Sequence, residues 1–299
     1  MSRIERAIEI ATRKRSATTD GQLAGDALPV QPQNPADTTP FTDHHDTDET
    51  LQAPSHRPCS AERPRQQMPL PVNANPCLVM ANAVESPAAE QYRKLKSSIV
   101  KSVRLGSCGN TLMITSSVPG EGKSLTALNL AISLAQDFDH TVLLIEADLR
   151  KPTLLKYLGL ESSLGLSDCV LDGVDVDLAL VETGIDGLSL LPAGRPVSNP
   201  VELFSSNRMK ALMAEIKARD PNRFIIFDTT PLLPFAEPQY IANVVDGVVL
   251  VVREHLTSID KLKRALEILN NHKLIGVVSN GVSRADSLHG YYGYYGNCY

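Results

Sequence analysis

The stretch Thr111–Ala135, TLMITSSVPGEGKSLTALNLAISLA, limits what this chain can fold into more than any other part of it. Leu112, Met113 and Ile114 form a short apolar run of the kind that makes a buried strand. Leu125, Leu128, Ala131 and Leu134 recur at helical spacing. Between them lies Ser117-Val118-Pro119-Gly120-Glu121-Gly122-Lys123-Ser124. Strand, glycine loop and helix in that order is the context a phosphate-binding loop requires. Gly120 and Gly122 let the backbone curl so that its N–H groups point inward at phosphate oxygens. The start of the following helix adds its partial positive charge at the same place. Lys123 has the reach to meet the β- and γ-phosphates, and the Ser124 hydroxyl can ligate Mg²⁺. The expected nucleotide-contacting set is therefore Ser117, Gly120, Glu121, Gly122, Lys123, Ser124 and Leu125, with ATP and Mg²⁺ as the ligands. Ser117 opens the loop where the general pattern has glycine.

Two further apolar runs end in acids. Val142–Ile145 leads into Glu146-Ala147-Asp148-Leu149-Arg150-Lys151-Pro152, and Phe224–Phe227 leads into Asp228-Thr229-Thr230-Pro231. Buried parallel strands have this form, with their C-terminal ends facing a ligand. A carboxylate there, beside a phosphate loop, can hold Mg²⁺ directly or through water. A helix-capping Asp after a strand is the plainer alternative. Two such acids beside a phosphate loop favour the metal reading, with Ser124, Glu146, Asp148 and Asp228 as the expected ligands. Leu188–Leu191, Val245–Val252 and Leu274–Asn280 read as further strands, with an amphipathic helix over Ser258–Leu269. The alternation predicts an α/β fold with a doubly wound, mostly parallel sheet of the P-loop NTPase type.

Composition bounds the rest. The formal net charge is -5 and Trp is absent, so no nucleic-acid partner is expected. No apolar run approaches the ~18–20 residues of a membrane-spanning helix, and charges interrupt the start, MSRIERAIEIATRKR, so it does not read as a signal peptide. The five scattered cysteines suit a reducing cytoplasm. The first 80 residues hold 10 of the 20 prolines and one aromatic, Phe41. Residues 16–80 read as a disordered linker that buries too little apolar surface to offset its ordering entropy. His44 and His45, among Asp43, Asp46 and Asp48, read as part of that polar tract rather than as a metal site. In residues 1–15, Ile4, Ala7, Ile8 and Ala11 make one stripe of a short basic amphipathic helix, either a docking element or a frayed tail. The folded unit is expected over residues 81–285. It starts with a helix over 81–104 whose apolar face is Tyr92, Leu95, Ile99 and Val103; Glu90, Arg93 and Lys96 lie on another face.

Residues 286–299 form a tail. Its last nine residues hold five of the eight tyrosines: Tyr291, Tyr292, Tyr294, Tyr295 and Tyr299. Interleaved glycines give no period for a core. Beside an ATP site the sharper reading is a set of phosphate acceptors, because a flexible acceptor can enter an active site and a packed one cannot.

Taken together, SSVPGEGKS, IEADLRKP, IIFDTTP and the tyrosine cluster resemble the bacterial tyrosine autokinases of exopolysaccharide and capsule production, over about residues 81–299. A cytoplasmic subgroup associated with exosortase-type polysaccharide loci is similar, including its short opening segment, here MSRIERA. The resemblance implies catalytic roles for Lys123, Asp148 and Asp228, and an oligomerisation motif at Glu90, Arg93 and Lys96. It also implies a proline-asparagine segment at Asn199 and Pro200. The implied partners are further copies of the chain in a ring, a separate membrane-bound chain-length regulator that activates it, and a cognate tyrosine phosphatase. The implied location is the cytoplasmic face of the inner membrane, reached through the partner. Glu146 stands where the family usually has Asp, Thr230 where it often has Pro, and Lys96 where it has Arg. Two other functions share these motifs. One is a nucleotide switch like the partitioning and division-site ATPases, which carry an extra lysine where this chain has Val118. The other is an ATP-binding scaffold without kinase activity.

Overall fold

The computed structural model describes residues 75–82, 85–137 and 139–282. The amphipathic segment 1–15, the His44–His45 tract and all five tail tyrosines lie outside the described residues. In chain order the helices are α1 (Val79–Asn82), α2 (Pro87–Arg104), α3 (Lys123–Ala135), α4 (Leu154–Leu158), α5 (Leu166–Asp172), α6 (Val176–Ala179), α7 (Pro200–Ser205), α8 (Asn207–Arg219), α9 (Glu237–Ala242) and α10 (Ile259–Ile268). The strands are β1 (Thr111–Ser116), β2 (Val142–Glu146), β3 (Val181–Glu182), β4 (Leu188–Leu191), β5 (Phe224–Asp228), β6 (Gly247–Arg253) and β7 (Leu274–Asn280).

The continuous apolar runs at β1, β2, β5 and β6 become central strands buried on both faces, because each face of a parallel sheet is covered by crossover segments. The sheet order is β3-β4-β2-β5-β1-β6-β7. Every pairing is parallel except β3 with β4, a two-residue antiparallel edge that the sequence did not announce. The expected doubly wound, mostly parallel sheet is the one observed. Strand β1 lies between β5 and β6. The chain therefore leaves the sheet at the glycine loop with acid-bearing β5 and β2 on one side and β6 and β7 on the other.

Hydrophobic layers fill both faces of the sheet. One holds Met113, Phe227, Leu250, Leu203 and Met213; the other holds Leu112, Ile226, Leu128, Leu134 and Ile99. Helix α3 is buried along almost its whole length. The sheet covers one side of it, and the other is packed against Leu78, Met80, Ala89 and Ile99.

That packing moves the expected boundary of the folded unit. Leu78 and Met80, assigned from composition to the linker, are wholly buried. Buried Asn129 on α3 holds their backbone: its Oδ1 accepts the Met80 N–H at 3.1 Å and its Nδ2 donates to the Cys77 carbonyl at 3.1 Å. Gln136 donates to the Met80 carbonyl at 3.0 Å. The helix expected over 81–104 is interrupted for a local reason. Pro87 disfavours helical geometry in the residue before it, and Ser86, extended at ψ 152°, instead caps α2 by accepting the Ala89 N–H.

Candidate active site

The loop from β1 to α3 takes the shape its glycines permit. Gly120 and Gly122 have φ of +84° and +93°, a region that side-chain-bearing residues seldom enter. A Cβ at Gly122 would also collide with the Asn280 side-chain amide. Gly122 is the N-cap of α3, so the N–H groups of the first helical turn have no intrahelical acceptor and remain for an anion. Glu121 is wholly buried. Its carboxylate accepts the Val118 N–H at 2.8 Å and the Thr257 hydroxyl. Its side chain is thus engaged within the protein, and what it can offer phosphate is backbone.

Lys123 ends at the floor of this loop. Its ammonium donates to Asp148 Oδ2 at 2.7 Å and to the Ser124 hydroxyl at 3.2 Å, and it stands 3.8 Å from Asp228 Oδ1. Burial works against the lysine charge, but Asp228 and Asp148 outweigh it, so its pKa lies above the ordinary value. The three residues assigned chemistry in the sequence therefore converge.

Asp228 is fully buried, and neither of its oxygens has a hydrogen-bond partner among the described residues. Burial pushes its carboxyl up to about 6, with Lys123 opposing the rise. A buried carboxylate left without hydrogen bonds is costly, and a hard cation relieves it. Among the described residues no three His, Cys, Asp or Glu side chains converge on one point. Mg²⁺ typically takes one or two protein carboxylates and completes its shell with phosphate and water. Asp228 and the Ser124 hydroxyl, both beside Lys123, are the groups that could hold such a cation.

Glu146 does not join this set as a free ligand. It pairs in register with Asp228 on the neighbouring strand. Its Oε1, however, accepts the N–H groups of Thr153 and of Leu154, the latter at 2.7 Å, and so caps α4. Burial pushes its carboxyl up to about 7, against the pull of those two N–H groups. Through Oε1 the acid is engaged at the helix start, while its charge still acts on Lys123. Asp148 keeps a position by the loop: its Oδ1 accepts the Lys151 N–H at 3.0 Å while Oδ2 holds Lys123.

Several site residues were invisible to sequence reasoning. Arg150 donates from Nε to Glu237 Oε1 at 2.7 Å and stacks over Phe235 with 4.8 Å to the ring centroid. It ties the segment after β2 to the segment after β5. Glu237 is wholly buried, yet it sits in the loop-like sequence LPFAEPQ, which has no period to mark it. On the other flank, Arg253 donates to the Gly120 carbonyl at 3.2 Å and Asn280 donates to the Glu121 carbonyl at 2.9 Å. Elsewhere, Arg93 bonds Glu90 at 2.9 Å on α2, the helix that also carries Lys96. Asn199 and Pro200 form the start of α7. A cavity of about 530 Å³ lies away from the loop, between residues 169–176 and the α8 residues Arg208 and Glu215.

Residues 112–292 match the family described as the CobQ/CobB/MinD/ParA nucleotide binding domain. The chain is 40% identical over 210 residues to tyrosine-protein kinase YwqD of Bacillus subtilis (strain 168), covering 70% of this chain and 86% of that one. It is 32% identical over 189 residues to tyrosine-protein kinase CpsD of Streptococcus agalactiae, covering 62% of this chain and 81% of that one. Among solved structures, the chimerical protein CapA2B2 superposes with a TM-score of 0.64 at 30% identity, covering 71% of this chain and 95% of that one.

Proposed function

From the premise that this chain belongs to the bacterial tyrosine-protein kinases, built on a CobQ/CobB/MinD/ParA-type nucleotide-binding domain, we propose that it transfers phosphate from Mg·ATP to its own C-terminal tyrosines. Tyr291, Tyr292, Tyr294, Tyr295 and Tyr299 are the acceptors. The observation that carries the reading is the convergence of Lys123, Asp148, Asp228 and Ser124 under a glycine loop.

Mg²⁺ would supply charge neutralisation and orientation of the phosphates. The rest of the chemistry belongs to the chain. The N–H groups at the start of α3 bind phosphate oxygens, and Lys123 balances their charge. Asp228 and Ser124 would hold the cation. Lys123 keeps Asp148 paired before nucleotide binds; drawn toward the phosphates, it releases Asp148 to accept the phenolic proton. A tyrosine hydroxyl has an ordinary pKa near ~10, so a carboxylate beside it assists its proton loss during transfer. The tyrosine oxygen bonds to the γ-phosphorus, the bond to the β-phosphate oxygen breaks, and ADP leaves. Each phosphate adds about -1.5 to -2 charges, so several on one tail repel one another and the acidic floor of the site. Tail release then follows, and with it the loosening of a ring assembled through Glu90, Arg93 and Lys96. In this reading a separate membrane-bound regulator activates the kinase at the inner face of the membrane, a phosphatase resets it, and the cycle regulates exopolysaccharide polymerisation or export. Among the described residues no helix is long and apolar enough to cross a membrane, which is consistent with attachment through a partner.

The experiment is incubation of the full chain with labelled ATP and Mg²⁺, beside Lys123→Met and a chain ending before Tyr291. Label on tyrosine in the full chain and in neither variant is the expected result. Truncated protein labelled to the same extent as the full chain overturns the acceptor assignment. Nucleotide binding without phosphotyrosine would reduce the protein to an ATP-binding scaffold.

A further inference from the structure

A phosphate-binding loop works when its N–H groups converge on the anion, which requires its carbonyls to face the other way and be held there. In this chain the holding groups come from β6, β7 and the turn after β6. Arg253 donates to the Gly120 carbonyl at 3.2 Å, and Asn280 donates to the Glu121 carbonyl at 2.9 Å. The Thr257 hydroxyl donates to one carboxylate oxygen of Glu121, and the other oxygen accepts the Val118 N–H at 2.8 Å. The same Thr257 oxygen accepts the Arg253 N–H at 3.0 Å, which closes the turn on itself. Glu121 is wholly buried, so its acid group is fixed by these bonds and not by solvent.

The turn that delivers Thr257 is strained. His255 has a φ of +62°, the one non-glycine residue with positive φ among the described residues. Backbone strain of this kind persists where surrounding contacts over-determine the conformation, and it gathers at sites that position something. Here the Leu256 and Thr257 N–H groups close the turn by donating to the Arg253 carbonyl at 3.2 and 3.0 Å, and the Thr257 hydroxyl reaches from it to Glu121 in the loop.

We propose that Thr257, Arg253 and Asn280, acting through Glu121 and the loop carbonyls, are positioning residues that set the phosphate-binding geometry of residues 118–122. None of the three needs to touch the phosphates. Their effect falls on the affinity of the loop for phosphate, and it is independent of what later accepts the phosphoryl group. The inference rests on the nucleotide-binding part of the proposed function, and its test reads binding alone. It can therefore fail or stand whether or not tyrosine is labelled.

The test is titration of the full chain with Mg·ADP by calorimetry, for wild type, Thr257→Val and Thr257→Ser, with the unfolding temperature of each nucleotide-free protein measured alongside. Valine keeps the shape and removes the hydroxyl; serine restores it. The expected result is a Kd raised about tenfold in Thr257→Val, with Thr257→Ser within about twofold of wild type. A purely structural role for the hydroxyl predicts a lowered unfolding temperature with unchanged affinity, and that result, or equal affinity in all three, overturns the proposal. Should Thr257→Val not fold, Arg253→Met decides, because the Arg253 side chain is exposed. A Kd raised about threefold supports the positioning role, and an unchanged Kd overturns it.

Discussion

The two flanks of the glycine loop solve opposite problems. On the β2–β5 side the strand ends carry acids in poor accommodation: Asp228 is buried without hydrogen bonds and is pushed up to about 6, and Glu146 is pushed up to about 7. On the β6–β7 side, Arg253, Thr257 and Asn280 meet the loop through hydrogen bonds that leave its carbonyls and the Glu121 carboxylate engaged. The first flank keeps a buried acid at Asp228 without hydrogen bonds, which a bound cation would relieve on the proposed function. The second has its polar groups engaged before any ligand binds. On the proposed function, stability is given up where a ligand would restore it, and rigidity is kept where a ligand would need a fixed cradle.

The contrast can be broken most sharply at Lys123, the cation that makes the acidic flank tolerable. Lys123→Met is expected to lower autophosphorylation by about 10²–10³-fold or more, read as phosphotyrosine per chain over time. Residual activity near that of wild type would remove the lysine from the phosphoryl-transfer account.

Asp228→Asn separates the two halves of the comparison. It removes a buried charge, so the nucleotide-free protein should gain on the order of 1 kcal/mol in unfolding free energy. It also removes the proposed cation ligand, so Mg²⁺-dependent labelling should vanish. Denaturant unfolding and the labelling assay read the two effects. A variant that is less stable would show that Asp228 is satisfied in the free protein.

The pH dependence sharpens the same point with a smaller effect. Asp228 and Glu146 hold protons more tightly in the folded state than in the unfolded chain, where carboxyls titrate near ~4. Between ~4 and their folded values the folded state therefore binds more protons. The contribution of these two groups to stability falls as pH rises through about 6 and about 7. In chelator and without nucleotide, the unfolding temperature should rise as pH is lowered from 8 to 6. Mg²⁺ with nucleotide should flatten or reverse that slope. A slope of the opposite sign in chelator would contradict the assignment of buried, proton-holding acids.

The smallest effect lies on the other flank. His255→Gly relieves a left-handed residue, which favours the folded state, but frees the unfolded chain, which opposes it. The net change in unfolding free energy should be within about 1 kcal/mol, with Mg·ADP affinity weakened slightly by the looser turn. A large loss of stability would show that the His255 side chain, and not the turn, holds the loop.

What the sequence disclosed and what it hid differ for physical reasons. The glycine loop and the two acid-ended strands were legible because strand, turn and helix-start chemistry are local and carry fixed spacings. The parallel sheet was legible because central strands must be apolar on both faces, as at Phe224–Phe227. Thr257 and Asn280 were hidden, since each reaches a loop more than 130 residues away by a side-chain hydrogen bond that leaves no periodic trace. Leu78 and Met80 were hidden by their neighbours: a proline-rich tract lowers the average of any window, yet two apolar side chains and the hydrogen bonds of Asn129 seat the segment on α3. Glu146 ends a strand, which is legible locally; the two N–H groups its Oε1 accepts at the α4 start come from seven and eight residues on and leave no trace in that spacing.

The central claim is that phosphate held by the 117–124 loop is delivered to a phenol at the far end of a chain. The most direct test is mass spectrometry of the C-terminal peptide after incubation of the full chain with Mg·ATP. Phosphate on residues among Tyr291, Tyr292, Tyr294, Tyr295 and Tyr299, absent with Lys123→Met, is the predicted result. An unmodified C-terminal peptide from protein that demonstrably binds Mg·ATP, with the proposed membrane-bound regulator also present, would contradict it.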